Sequence, residues 1–237
     1  MSVHLVGGGS SEEYDGEVFR EFLAEAATRG DGSARIAVLV VAMDDDEATS
    51  GVGRWSRQLQ RAGACTPIVT AIVEGELFDT SVLSRIDGLL IAGGLTPAYL
   101  DAVTPLVDEI RLLVGDGLPY LGFSAGAAIA AEAAIIGGWK IDDIPVCSED
   151  AGEDLDDVTI AEGLGLVELA IDVHAVQWGT LARLIAATEA GLVEGGVALD
   201  EFTALIISDD TVRVVGRGNA WSVSQHDDGV LVNTILP

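Results

Sequence analysis

Through its first two-thirds the chain alternates short, unbroken apolar runs with segments of helical periodicity, and few folds accept that pattern. Residues 3–6 run into Gly7-Gly8-Gly9, which reads as a buried strand ending in a tight loop. Val18, Phe19, Phe22, Leu23 and Ala26 then recur at helical spacing, and residues 34–43 form a β-branched run with no polar face. The same alternation predicts a helix near 53–62, strands near 67–73 and 88–92, a helix over 97–114 and a short strand over 118–123. Strands without a wet face must be covered on both sides. The pattern therefore predicts an α/β fold: a mostly parallel sheet flanked by helices, with its site at the carboxyl ends of the strands. From Val197 onward the runs shorten. Turn signals at Asp209-Asp210, at Gly216-Arg217-Gly218-Asn219 and at Asp227-Asp228-Gly229 predict antiparallel strands that extend the same sheet or its edge. No repeat or long linker divides the 237 residues, which read as a single domain, 1–237.

Cysteine usage and charge narrow the function classes. Cys65 and Cys147 are the only cysteines, far apart and outside any C-x-x-C or Cys/His pattern, so neither a disulfide framework nor a structural zinc site is expected. No apolar run reaches the roughly 18–20 residues of a membrane span, and residues 1–4 lack the basic start of a secretory leader. A cytoplasmic protein is the expectation. Thirty-nine acidic residues oppose 12 basic ones, for a net charge of −27, and Lys140 is the single lysine. Such a chain repels phosphate backbones, which argues against nucleic-acid partners. It also repels itself, an effect that salt screens, so a salt-adapted source and an ordinary acidic protein both stay open. The acid is concentrated: residues 141–180 hold eleven Asp and Glu with no Lys or Arg, and residues 149–157 hold six of them. A solvated loop is the plain reading and a calcium loop the sharper one, although EF-hand spacing is missing.

Chemistry concentrates at Leu118-Pro119-Tyr120-Leu121-Gly122-Phe123-Ser124-Ala125-Gly126-Ala127-Ala128. A strand runs into G-F-S-A-G and then into an alanine-rich helix predicted to reach about residue 136. That is the context of a nucleophile elbow, in which small residues let the chain turn sharply and present the serine. Ser124 is the candidate nucleophile. An oxyanion hole needs two N–H donors; Ala125 supplies one by position, and the glycine pair Gly93-Gly94, one strand–helix step earlier, supplies the second.

For a base the sequence offers His4, His174 and His226. His4 lies inside the first buried strand and His226 beside Asp227-Asp228 at the surface. His174 ends an apolar strand over 166–173, where a base should stand. The carboxylate that orients it is Asp172, Asp200 or Glu201; strand alternation aims only one of the last two inward.

Taken together, G-F-S-A-G-A-A, the strand ending in A-G-G, I-D-V-H and G-V-A-L-D-E-F-T-A resemble the peptidase E and cyanophycinase family of serine peptidases, in order and over most of the chain. The resemblance implies the class I glutamine amidotransferase-like, flavodoxin-like fold and a triad in the order Ser, His, carboxylate. Carried over, Ser124 is the nucleophile, His174 the base and Glu201 the orienting acid, with Gly94 and Ala125 as the oxyanion hole. Gly93, Thr96 and Arg183 fall on the substrate side. That side departs from the cyanophycinase type: its D-Q-H-F stretch reads Asp172-Val173-His174-Ala175 here, and of the arginines that follow only Arg183 remains.

The expected activity is a serine hydrolase that cleaves short peptides or isopeptides through an acyl-enzyme and calls for no metal or cofactor. The expected partner is a small peptide, with no nucleic acid or membrane, and a homodimer is left open. Two other readings compete. One is a catalytically silent binding or regulatory protein on the same scaffold. The other is an α/β-hydrolase esterase, whose order Ser, acid, His would recruit His226. A glutamine amidotransferase would want cysteine at position 124 and glutamate where Val176 stands.

Overall fold

The computed structural model describes residues 2–9, 15–30, 33–208 and 211–235. Five parallel strands form the centre of its main sheet: β1 (Ser2–Val6), β2 (Ala34–Ala42), β3 (Cys65–Val73), β4 (Gly88–Ile91) and β5 (Tyr120–Phe123). Among the described residues the order is β3-β2-β4-β5-β1, continued by the antiparallel β12 (Thr203–Ser208) and β13 (Val212–Gly216). The apolar runs account for this. All four residues of β4 are buried, as are seven of the nine in β2, and such strands persist only between two helical layers.

Helix α1 (Asp15–Ala27) covers one face with Val18, Phe19, Phe22, Leu23 and Ala26, all buried, as their spacing requires. Helix α2 (Asp45–Ala62) starts eight residues before the expected 53. Asp44 caps it, accepting from the Glu47 N–H at 2.8 Å while Glu47 accepts from the Met43 N–H at 2.8 Å. The helix expected over 97–114 is two, α3 (Thr96–Val103) and α4 (Val107–Gly115), joined by a 3₁₀ turn at Thr104–Leu106. Pro105 lies in that turn and has no N–H to continue an α-helical ladder.

The largest departure follows Ser124. In place of a helix to residue 136, α5 (Ala125–Ala128) makes a single turn, and the chain enters β6 (Ala133–Gly137). After the short hairpin of β7 (Lys140–Ile141) and β8 (Ile144–Pro145), β9 (Thr159–Glu162) returns to pair antiparallel with β6. Leu164 N–H donates to the Ile129 carbonyl at 2.7 Å, tying the exit of the turn to the segment that follows β9. Tertiary pairing of Ile135 with Ile160 outweighs the helix preference of the alanines.

A second sheet corrects the expectation that the last third extends only the first. It has the order β10 (Ala170–Val173), β11 (Gly195–Leu199), β14 (Ala220–His226), β15 (Gly229–Ile235), with β10 and β11 parallel. Helix α6 (Thr180–Glu189) packs on it through Leu184 and Ala187. Only β12 and β13 join the main sheet. The turns at 217–219 and 227–228 fall where expected; Asp209-Asp210 lies outside the described residues. The carboxyl ends of β1, β4 and β5 thereby meet those of β10 and β11. Among the described residues no helix is long and apolar enough to cross a membrane.

Candidate active site

Strand β5 ends at Phe123, and Ser124 adopts φ 52°, ψ −110°, a strained conformation for a residue with a side chain. The flanking glycines explain how the chain holds it. A Cβ on Gly122 would collide with the Gly126 carbonyl, and one on Gly126 with the Ile91 carbonyl. The Gly126 N–H donates to the Ala92 carbonyl at 3.0 Å and the Ser124 N–H to the Val6 carbonyl at 2.9 Å, pinning the turn to two neighbouring strands. The buried Tyr120 hydroxyl donates to the Gly126 carbonyl at 2.6 Å.

His174 follows β10, also with positive φ, and its N–H donates to the Gly7 carbonyl at 3.0 Å. Its Nε2 lies 2.8 Å from Ser124 Oγ and its Nδ1 2.8 Å from Glu201 Oε1, so three residues from two sheets form one chain of hydrogen bonds. Burial pushes the His174 pKa below its ordinary value, against the upward pull of the Glu201 hydrogen bond and of the Glu201 and Asp172 charges. Trp178 stacks on the imidazole, centroids 3.9 Å apart and planes within 8°, and remains 43% exposed at the mouth of the site. Two further parts complete this assembly. A Cβ on Gly8 would run into the His174 ring, and one on Gly9 would approach Phe202 and the Glu201 Cβ within 3 Å, so the Gly7-Gly8-Gly9 loop is the floor under the base and its acid. Trp178 carried no motif, although its spacing of four from His174 places it one turn away.

The three candidate carboxylates separate cleanly. Glu201 meets the imidazole. Asp200 is buried and accepts from the Asn219 N–H at 2.8 Å, Trp221 Nε1 at 3.0 Å and the Val176 N–H at 3.3 Å. Asp172 forms a bidentate pair with Arg183, Nε to Oδ2 at 2.9 Å and Nη2 to Oδ1 at 2.7 Å. The substrate-side expectations for Arg183 and Thr96 need correction. Arg183 is 4% exposed, its guanidinium held by Asp172 and by the Gly138 and Ala151 carbonyls, and Thr96 is 3% exposed beneath the loop. Neither side chain faces the cleft. Gly93 does line it, and a Cβ there would stand 2.7 Å from that of Ser124.

Of the other histidines, His4 is buried beside Phe22 with Nε2 3.3 Å from Glu25, and His226 sits exposed at the end of β14. The esterase arrangement built on His226 thus has no geometry behind it. Among the described residues of the acidic segment, no group of three His, Cys, Asp or Glu side chains is disposed to hold a metal ion. Instead its Asp150 and Glu153 line a cleft of about 310 Å³ together with Gly93, Gly94, Leu95, Phe123, Ser124, His174 and Trp178.

Comparison with known proteins identifies a family. Residues 5–215 match peptidase family S51. The chain belongs to that family. It is 37% identical over 151 residues to a cyanophycinase of Synechococcus elongatus, covering 61% of this chain and 44% of that relative. To a cyanophycinase of Trichormus variabilis it is 28% identical over 231 residues, covering 94% of this chain and 73% of the relative. The matched stretch is thus less than half of the Synechococcus protein. Among solved structures, a peptidase from an acI-B1 Actinobacterium shares this fold at a TM-score of 0.66 and 16% identity, over 99% of this chain and 96% of the other.

Proposed function

We propose that this S51 chain is a single-domain serine peptidase that cleaves short peptides or isopeptides through an acyl-enzyme on Ser124. The observation that carries it is the pair of 2.8 Å contacts from Ser124 Oγ through His174 to Glu201, with Ser124 in a strained elbow. In the first step Ser124 Oγ attacks the scissile carbonyl as His174 Nε2 takes its proton. Glu201 holds the Nδ1 proton, fixing the productive tautomer and stabilising the imidazolium. Among the described residues the N–H groups of Gly94 and Ala125 have no backbone acceptor, which suits them to receive the developing oxyanion. The imidazolium protonates the leaving amine, and the C–N bond breaks. A water, deprotonated by His174, then attacks the ester; the carboxylic acid leaves and Ser124 regains its proton.

A cytoplasmic setting, expected from the sequence, stays part of this reading. The test is hydrolysis of a panel of dipeptides, tripeptides and β-aspartyl isopeptides. Wild type turns over at least one class and Ser124→Ala none, with an expected loss on the order of 10³-fold or more. Equal turnover by both proteins rules out the serine mechanism.

A further inference from the structure

Resting on the serine-peptidase reading, we propose that Glu153 is a positioning residue for the oxyanion loop, locked in place by the buried Asp172–Arg183 pair. The loop after β4 runs Gly93-Gly94-Leu95 into α3, and Leu95, at the N-cap, offers no side-chain acceptor. That task falls to Glu153, 57 residues away, whose Oε2 accepts from the Thr96 N–H at 2.9 Å. A carboxylate there satisfies one of the free donors of the first helical turn and suits the positive end of its dipole. The contact fixes the backbone two residues beyond Gly94, one of the two proposed oxyanion donors.

Glu153 is itself constrained. Both it and Asp154 take positive φ, 55° and 59°, a backbone that the surroundings must enforce. Two residues earlier, the Ala151 carbonyl accepts from Arg183 Nη1 at 2.7 Å, and the same nitrogen reaches the Gly138 carbonyl at 3.1 Å. The other face of that guanidinium grips Asp172, two residues before His174 on β10. One buried arginine therefore ties the strand carrying the base to the acidic segment, and Glu153 ties that segment to the oxyanion loop. Buried ion pairs contribute little net stability but hold register well, and register is what a site sensitive to ångström displacements requires.

The test compares Glu153→Ala with Glu153→Gln, which keeps an oxygen acceptor for the Thr96 N–H. Alanine is expected to lower kcat roughly tenfold or more with KM nearly unchanged, and glutamine to regain most of that loss. Thr96→Pro removes the donor from the other side. Proline suits the first helical position, and the extended backbone of Leu95 (φ −65°, ψ 110°) accepts a following proline. Its effect should match that of Glu153→Ala, with little further loss in the double variant. Amide hydrogen exchange over 93–99 reads the same contact without any turnover: faster in Glu153→Ala, near wild type in Glu153→Gln. Unchanged exchange in Glu153→Ala overturns the assignment even if no peptide is cleaved. So does a selective rise in KM for cationic peptides in both Glu153 variants with kcat intact, which would make the carboxylate a substrate ligand. Failure of wild type to cleave any peptide, with exchange behaving as expected, counts against the peptidase reading alone.

Discussion

Asp200 and Glu201 are neighbours at the end of β11, yet they point to different duties: Asp200 turns inward to Asn219 and Trp221, and Glu201 reaches across to His174. Removing each should therefore fail differently. Glu201→Gln is expected to leave the melting temperature near wild type and lower kcat by up to about 10⁴-fold, because an amide no longer fixes the imidazole tautomer. Asp200→Ala strands several buried donors and should cost roughly 2 kcal/mol or more of stability. Thermal melts and steady-state kinetics on both variants separate the two; a stable, inactive Asp200→Ala beside an active Glu201→Gln would reverse the roles.

The depressed pKa of His174 sets the direction of the pH profile. The base must be neutral to accept the Ser124 proton, so the acidic limb of kcat/KM should have its midpoint below the ordinary histidine value of 6.5. Glu201 pulls that pKa up, so the residual activity of Glu201→Gln should show a limb at still lower pH. A midpoint above 6.5 in wild type would mean that burial does not dominate.

Charge in the cleft predicts substrate preference. The exposed Asp150 lines it, while Glu153 is spent on the Thr96 N–H and the nearby Arg183 on Asp172. Neutral and basic short peptides should be cleaved with higher kcat/KM than acidic ones, by about tenfold or more in dilute buffer, with the gap closing as salt screens the field. A peptide library assayed at low and high ionic strength measures this. A preference for Asp- or Glu-containing peptides, or one indifferent to salt, would contradict it.

Much of the site was legible in the sequence because its parts sit at strand ends, and the runs before Gly7, Gly93, Ser124 and His174 announce themselves by burial on both faces. The resemblance supplied the choice of Glu201 over Asp200, since adjacent carboxylates cannot be told apart until Asn219 and Trp221 arrive from another strand. Arg183 was misread for a physical reason: the one arginine left after the His174 stretch looks like a substrate ligand until its guanidinium is seen buried against Asp172. Local preference also failed after Ala128, where helix-forming alanines yield to pairing between β6 and β9. The role of Glu153 was illegible because the contact with Thr96 joins segments 57 residues apart.

The central claim is that Ser124, activated by His174, is the nucleophile. Reaction with an active-site-directed fluorophosphonate, followed by intact mass and peptide mapping, tests it most directly. A single adduct on Ser124 is predicted, absent in Ser124→Ala, slowed on the order of 10³-fold in His174→Ala and unaffected in His226→Ala. Labelling that persists in Ser124→Ala, or that depends on His226 and not on His174, would contradict it.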